Sequence, residues 1–167
     1  TLRRRGIDFR GVLYAGLMLT ADGPKLLEYN VRFGDPETQV VLPRMTSSLL
    51  ELLGQAAAGS IEAQPTCSDD AMVNVVCASD GYPVAPRIGN HISGLEAARL
   101  LPGVTVYGAG VAIGEDGDLV SSGGRVLSVC GRGADVAEAR QRAYAGVAEL
   151  SWPGMTVRTD IAAAVAS

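Results

Sequence analysis

The chain first declares itself at residues 11–20, where Gly-Val-Leu-Tyr-Ala-Gly-Leu-Met-Leu-Thr forms an apolar run of strand length. Ala21-Asp22-Gly23-Pro24 reads as a turn, and residues 25–33 as the partner strand of a hairpin. In that second strand the side chains alternate. Leu27, Tyr29, Val31 and Phe33 face one way, and Glu28, Asn30 and Arg32 the other. Gly34-Asp35-Pro36-Glu37 then predicts a helix start, with Asp35 as N-cap and Pro36 at the first helical position. Pro43 limits that helix to about two turns. A second helix is predicted from Ser47 or Ser48 to a C-terminal stop at Gly59.

Residues 59–70 are polar and read as a linker. Short apolar runs at 72–78, 104–107, 111–113 and 125–130 predict strands, with turns at Asp116-Gly117 and Gly123-Gly124. Residues 135–150 carry the clearest helical pattern. Asp135 and Glu138 make a capping-box start, and Val136, Ala139, Ala143, Val147 and Leu150 recur on one face. A last strand is predicted at Val157. This order suggests an antiparallel α+β unit behind the linker.

Composition narrows the class. The 167 residues are 47% hydrophobic and 19% charged, the balance of a soluble globular chain. No stretch reaches the ~20 apolar residues of a membrane helix, and no apolar segment of signal-peptide type follows the opening arginines. A net charge of −4 argues against nucleic acid as a partner, the run Arg3, Arg4, Arg5 notwithstanding. Cys67, Cys77 and Cys130 are widely spaced and fit reduced thiols, which points to the cytoplasm. His91, the single histidine, is read as structural. The abrupt opening, a few polar residues ahead of a buried-type strand, suggests a piece of a longer protein.

Candidate chemistry sits on the second strand. Glu28 and Asn30 offer the hard oxygen ligands that Mg²⁺ prefers, and Arg32 offers a planar donor fork for a carboxylate or phosphate. The helix start that follows would favour an anion. The same spacing also suits a solvated sheet face, and Asp35 and Glu37 are adequately explained as helix-start residues.

Arg32-Phe-Gly-Asp-Pro-Glu-Thr-Gln39 resembles the R-[LF]-G-D-P-E-x-[EQ] signature of the phosphoribosylamine–glycine ligases, members of the ATP-grasp superfamily. Glu28-Tyr-Asn30 matches the metal-binding E-x-N of that family, and 11–19 resembles the strand leading into it. Family-like segments follow in order at 78–83, 92–95, 123–127 and 158–161, so the resemblance covers essentially the whole chain. Gly108-Ala-Gly-Val111 and Ala162 depart from the family pattern.

The resemblance implies an α+β chain: residues 1–62 as the C-terminal part of an ATP-grasp domain, then a small antiparallel C-terminal domain over 63–167. An N-terminal domain and ATP lid would be missing. The implied reaction ligates glycine to 5-phosphoribosylamine, converting ATP to ADP and phosphate through glycyl phosphate. Glu28 and Asn30 would hold Mg²⁺ or Mn²⁺, and Met18 and Glu28 would contact ATP. Arg32 would serve the glycine carboxylate or the transferring phosphoryl group, Asp35 and Glu37 would orient an amine, and Arg125 would meet the ribose phosphate. Gly16 falls where ATP-grasp carboxylases place a further acidic ligand, which favours the glycine ligase. Two other readings remain at this point: a non-catalytic remnant that binds a metabolite or partner, and a subunit of another ATP-grasp ligase or carboxylase.

Overall fold

A computed structural model describes residues 2–166. The chain divides into two compact units, Thr1–Ser68 and Asp69–Ser167.

The first unit opens on a 3-10 turn at Arg3–Arg5 that ends in the left-handed Gly6. Strands β1 (Tyr14–Thr20) and β2 (Gly23–Asn30) form the expected hairpin. Ala21-Asp22 makes the turn, and Gly23, at φ +96°, supplies a conformation that costs other residues a steric clash. Pairing runs from Thr20↔Gly23 to Tyr14↔Asn30, with a bulge between Gly16 and Leu17. Both strands are shorter than predicted: β1 starts three residues late, and β2 stops before Val31, Arg32 and Phe33. The ladder ends where Asn30 runs out of partners on β1, a limit that the alternating pattern of β2 does not contain.

Helix α1 (Thr38–Val41) is a single turn that passes into a 3-10 segment at Leu42–Arg44 containing Pro43. The predicted cap is wrong. Asp35 and Pro36, joined by a cis peptide, lie in a turn, and Glu37 occupies the N-cap without a side-chain cap bond. The turn closes on Gly34, whose carbonyl accepts from Thr38 N at 3.1 Å and from the Thr38 hydroxyl. Helix α2 (Leu49–Ala58) matches its prediction: Ser48 Oγ accepts from Glu51 N at 3.2 Å, and Gly59 ends it at φ +92°. Arg10 donates to the carbonyl of Ala57 at 2.9 Å, placing a cation at the negative end of that helix.

Residues 59–68 are no free linker. Gln55 Oε1 accepts from the amides of Glu62 and Ala63 at 2.8 and 2.9 Å. Thr46 N donates to Thr66 O at 2.8 Å, and Ser68 N to Arg44 O at 2.7 Å. These bonds strap the segment back onto the helices.

The second unit has a three-stranded antiparallel sheet in the order β3 (Ala71–Ala78), β7 (Arg125–Gly133), β4 (Val104–Gly108). A short hairpin joins β5 (Val111–Ile113) to β6 (Leu119–Ser121). Helices α3 (Leu95–Leu100) and α4 (Val136–Glu149) pack on each other and on the sheet. Helix α4 starts as predicted, with Asp135 Oδ1 accepting from Glu138 N at 2.8 Å and Glu138 Oε2 accepting from Ala134 N at 2.7 Å. Its small residues Ala139, Ala143 and Gly146 are buried against β7 and β4, where Gly131 and Gly133 leave room for the helix backbone. Val75, Cys77, Val126, Leu127, Val129 and Trp152 complete one contiguous core. Helix α3 and strand β6 were not predicted. The strand expected at Val157 reduces to a single bridge between Thr156 and Ala78.

Candidate functional site

Register gives the first unit its chemistry. Gly16 pairs with Glu28, and Tyr14 with Asn30. Residues two apart on a strand share a face, so Glu28 and Asn30 project together. Their side chains meet, with Asn30 Nδ2 donating to Glu28 Oε1 at 2.8 Å. A methyl group on Gly16 would lie 3.3 Å from Glu28 Cγ, so the glycine leaves the carboxylate's flank open.

Tyr14 carries the hairpin to the following turn. Its hydroxyl donates to Glu37 Oε1 at 3.0 Å. Accepting that bond, Glu37 holds the Tyr14 phenol above its ordinary pKa. Gly34 makes the approach possible, because a Cβ there would stand 2.9 Å from the Tyr14 ring and 2.6 Å from Glu37 Oε2. Sequence reasoning missed Tyr14. The available signal was its place two residues before Gly16, on the face that Glu28 shares.

Arg32 lies in a bend past the strand, and its Nη1 donates to Phe33 O at 2.8 Å. Asp35 accepts from Gln39 Nε2 at 3.1 Å. The expected helix-mouth anion site is not formed as anticipated. The amides of Thr38, Val40 and Val41 already donate to Gly34 and Glu37 carbonyls, at 3.0 to 3.1 Å, so they are not turned toward a ligand. Met18 pairs with Lys25 beyond the bulge and is 51% exposed. The structure therefore brings Glu28 and Asn30 together and links Tyr14 to Glu37.

Arg125 belongs to the second unit, where it opens β7 opposite Ala78 and its carbonyl accepts from Gly110 N at 2.8 Å. His91, read as structural, forms a β-bridge with Val120, and its exposed Nε2 lies 3.3 Å from Asp118 Oδ2.

The donor set bears on a divalent metal. Among the described residues, no group of three or more His, Cys, Asp or Glu side chains is placed to hold an ion. A Glu carboxylate beside an Asn amide offers two hard oxygens, and presenting both to one ion exchanges the bond from Asn30 Nδ2 to Glu28 Oε1. Mg²⁺ accepts such a partial protein shell when phosphates and waters complete it. The pair fits that kind of site and does not suffice for a closed protein cage.

The hairpin and turn of the first unit and the antiparallel α+β second unit are consistent with an ATP-grasp-type architecture. The family model for the phosphoribosylglycinamide synthetase C domain matches residues 72–164, and the model for that enzyme's ATP-grasp (A) domain matches residues 1–38. The chain belongs to the phosphoribosylglycinamide synthetase family.

Its relatives include the phosphoribosylamine–glycine ligase of Streptomyces coelicolor, 50% identical over 169 residues, covering 99% of this chain and 40% of that protein. The chloroplastic ligase of Arabidopsis thaliana is 46% identical over 165 residues, covering 96% and 31%. The crystal structure of the Thermotoga maritima phosphoribosylamine–glycine ligase superposes with a TM-score of 0.81 at 38% identity, covering 96% of this chain and 39% of that one. The N5-carboxyaminoimidazole ribonucleotide synthetase of Thermotoga maritima, at 18% identity and a TM-score of 0.59, shares the fold alone. The chain thus spans about two fifths of the Streptomyces and Thermotoga proteins' length.

Proposed function

We propose that this chain is the carboxy-terminal portion of a phosphoribosylamine–glycine ligase, which joins glycine to 5-phosphoribosylamine and converts ATP to ADP and phosphate in purine synthesis. The observation that carries the reading is the contact between Glu28 and Asn30, on one face, opposite a glycine and just ahead of the Arg32 to Gln39 block. Residues 1–62 are assigned to the end of the ATP-grasp domain, and residues from 63 on to the C-terminal domain. This chain covers about two fifths of the Streptomyces ligase, and turnover is assigned to the whole of such a protein. Three free thiols suit the cytoplasm.

The chemical obstacle is charge. Glycine's carboxylate must approach the γ-phosphate of ATP, and two unit charges ~4 Å apart repel by about 4 kcal/mol at an effective dielectric of about 20. Glu28 and Asn30 would hold Mg²⁺ or Mn²⁺, which would supply positive charge to offset that repulsion. Arg32 pairs with the glycine carboxylate or the phosphoryl oxygens after exchanging its bond to Phe33 O. A glycine oxygen attacks the γ-phosphorus and ADP departs, leaving glycyl phosphate. The ribosylamine nitrogen then attacks the acyl carbon, phosphate leaves, and the nitrogen gives up a proton. Asp35 and Glu37 orient that amine, and Tyr14 keeps Glu37 in place. Met18 contacts adenine. Arg125 takes the ribose phosphate.

The test is a graft. This chain replaces the matching two fifths of the Streptomyces coelicolor ligase, and ADP release is followed with each substrate left out in turn. The reading expects sustained, multiple-turnover release that needs ATP, glycine and 5-phosphoribosylamine together. A folded graft that binds ATP and never forms glycinamide ribonucleotide would favour a non-catalytic remnant.

A further inference from the structure

In the second unit the end of β3 is fastened to the turn that leads into β7. The two strands pair through Ala78↔Arg125, after a bulge between Cys77 and Ala78. Bulges bend a strand and re-aim the side chains beside them. Ser79, the residue after β3, then makes two bonds to the turn. Its amide donates to Gly124 O at 2.8 Å, and its hydroxyl donates to Gly123 O at 2.9 Å. From elsewhere Gly110 N donates to Arg125 O at 2.8 Å. Three successive carbonyls are thus tied at the root of one long cationic side chain.

The turn is also closely packed. A Cβ on Gly110 would stand 2.7 Å from Gly123 Cα, and one on Gly124 would run into the Tyr82 ring. Ser79 is 1% exposed, and a buried hydroxyl needs an acceptor. The acceptor it takes is the carbonyl two residues before Arg125. Alanine at 79 would keep the amide bond to Gly124 and lose only the bond to Gly123.

We propose that Ser79 is a positioning residue for the phosphoribosyl substrate: through the Gly123–Gly124 turn it aims Arg125 at the ribose phosphate. The proposal rests on the assignment of Arg125 made above and adds the residue that sets its direction. An arginine fork meets phosphate through paired donors, so its strength depends on angle as well as distance. Backbone bonds fix the origin of such a side chain, the Cα and the direction in which Cβ leaves it. Without the Gly123 bond the turn can pivot about the Gly124 carbonyl, and that origin moves. A displacement of ~1 Å at a positioned group can cost about 100-fold. With the Gly124 and Gly110 bonds kept, a smaller shift and a loss of roughly tenfold are expected.

The experiment uses the graft described above, with ribose 5-phosphate as the probe, titrated by calorimetry without ATP. Ser79→Ala should raise its Kd roughly tenfold and leave the Kd of ATP within about twofold of the parent. During turnover the same variant should raise KM for 5-phosphoribosylamine and leave kcat and the KM for glycine near parental values, the pattern of lost binding shared by ground and transition states. In an Arg125→Ala background, Ser79→Ala should add less than about twofold, because the residue through which it acts is gone. Asp135→Ala, which loosens the same unit at the start of α4, should leave the Kd of ribose 5-phosphate unchanged.

Ser79→Ala binding like the parent would overturn the proposal and leave the Arg125 assignment standing. The same loss with Arg125 already removed, or an equal loss in Asp135→Ala, would also overturn it, since Ser79 would then act by another route or through stability alone. A graft that does not bind ribose 5-phosphate, or binds it equally well as Arg125→Ala, would overturn the assignment and the proposal together. Binding needs no turnover. A graft that holds ribose 5-phosphate through Arg125, weakens with Ser79→Ala and never forms glycinamide ribonucleotide would remove the catalytic reading and support the positioning.

Discussion

Replacing Gly131 by Ala tests how the second unit is put together. Gly131 lies in β7 between Val73 of β3 and Val104 of β4, with helix α4 across its face. A Cβ built there meets the Ala139 carbonyl oxygen and the Ala143 amide nitrogen, and stands 3.1 Å from Ala143 Cα. These are helix backbone atoms, which cannot rotate aside as a side-chain tip does. Restoring contacts of roughly 3.5–4 Å requires α4 to retreat by ~1 Å, which opens the packing of Ala139, Ala143 and Val147 at the same time. Overpacking of this kind costs about 1–3 kcal/mol, and in a domain the size of Asp69–Ser167 each kcal/mol lowers Tm by about 4–8 °C. Gly146→Ala is the comparison. Its Cβ would stand 2.8 Å from methyl groups of Val104 and Val129, and the ~1 kcal/mol gain in helix propensity offsets part of that clash. Thermal unfolding of 69–167, followed by far-UV circular dichroism and by fluorescence of Trp152, the chain's one tryptophan, reads both. A Gly131→Ala Tm within about 2 °C of the parent, or above that of Gly146→Ala, would refute the account of the α4–β7 contact.

Three further outcomes follow from the same geometry. Burial pushes the Cys77 and Cys130 thiols up to about 12 and leaves Cys67 exposed, so a chromogenic disulfide at pH 8 should label Cys67 alone in the folded chain and all three after denaturation. Unfolded thiols titrate near 8.5. Between there and about 12 the folded state holds more protons, so stability should be full below pH ~8.5 and fall as pH rises, by up to ~1.4 kcal/mol per pH unit per thiol; a flat urea midpoint from pH 8 to 10.5 for 69–167 would contradict this. Asp135→Ala should destabilise that unit by about 1 kcal/mol through loss of the bond from Glu138 N, measured as a lower urea midpoint at unchanged m-value. In the graft, Glu28→Gln should lower kcat at least 100-fold, with partial recovery at high Mn²⁺; unchanged kinetics would remove Glu28 from the metal site.

The elements legible in the sequence are those with local causes. Helix α4 carries its own capping box and a buried stripe of small residues, and α2 its serine cap and terminal glycine. Helix α3 escaped because its N-cap, Gly94, offers no side-chain bond, and its backbone is set by close approach to Glu149 and Leu150, far along the chain. Strand β6 is too short to show a period. At the site, parity was enough to place Glu28 beside Asn30. The end of β2 depends on where β1 stops offering partners, so Arg32 was assigned to a strand it has already left. The cap at Asp35 was misread because Asp-Pro suits a turn as well as a helix start, and the deciding contact is Thr38 on Gly34. The Tyr14–Glu37 bond joins residues 23 apart and is a property of the folded turn.

The central claim is that glycine is activated on its own carboxylate by the γ-phosphate of ATP, beside Glu28 and Asn30. Supplying the graft with glycine labelled by ¹⁸O in both carboxylate oxygens, and weighing the phosphate released, tests it most directly. The account predicts one heavy oxygen in every phosphate formed with glycinamide ribonucleotide. Unlabelled phosphate from a graft that still makes the product would contradict it.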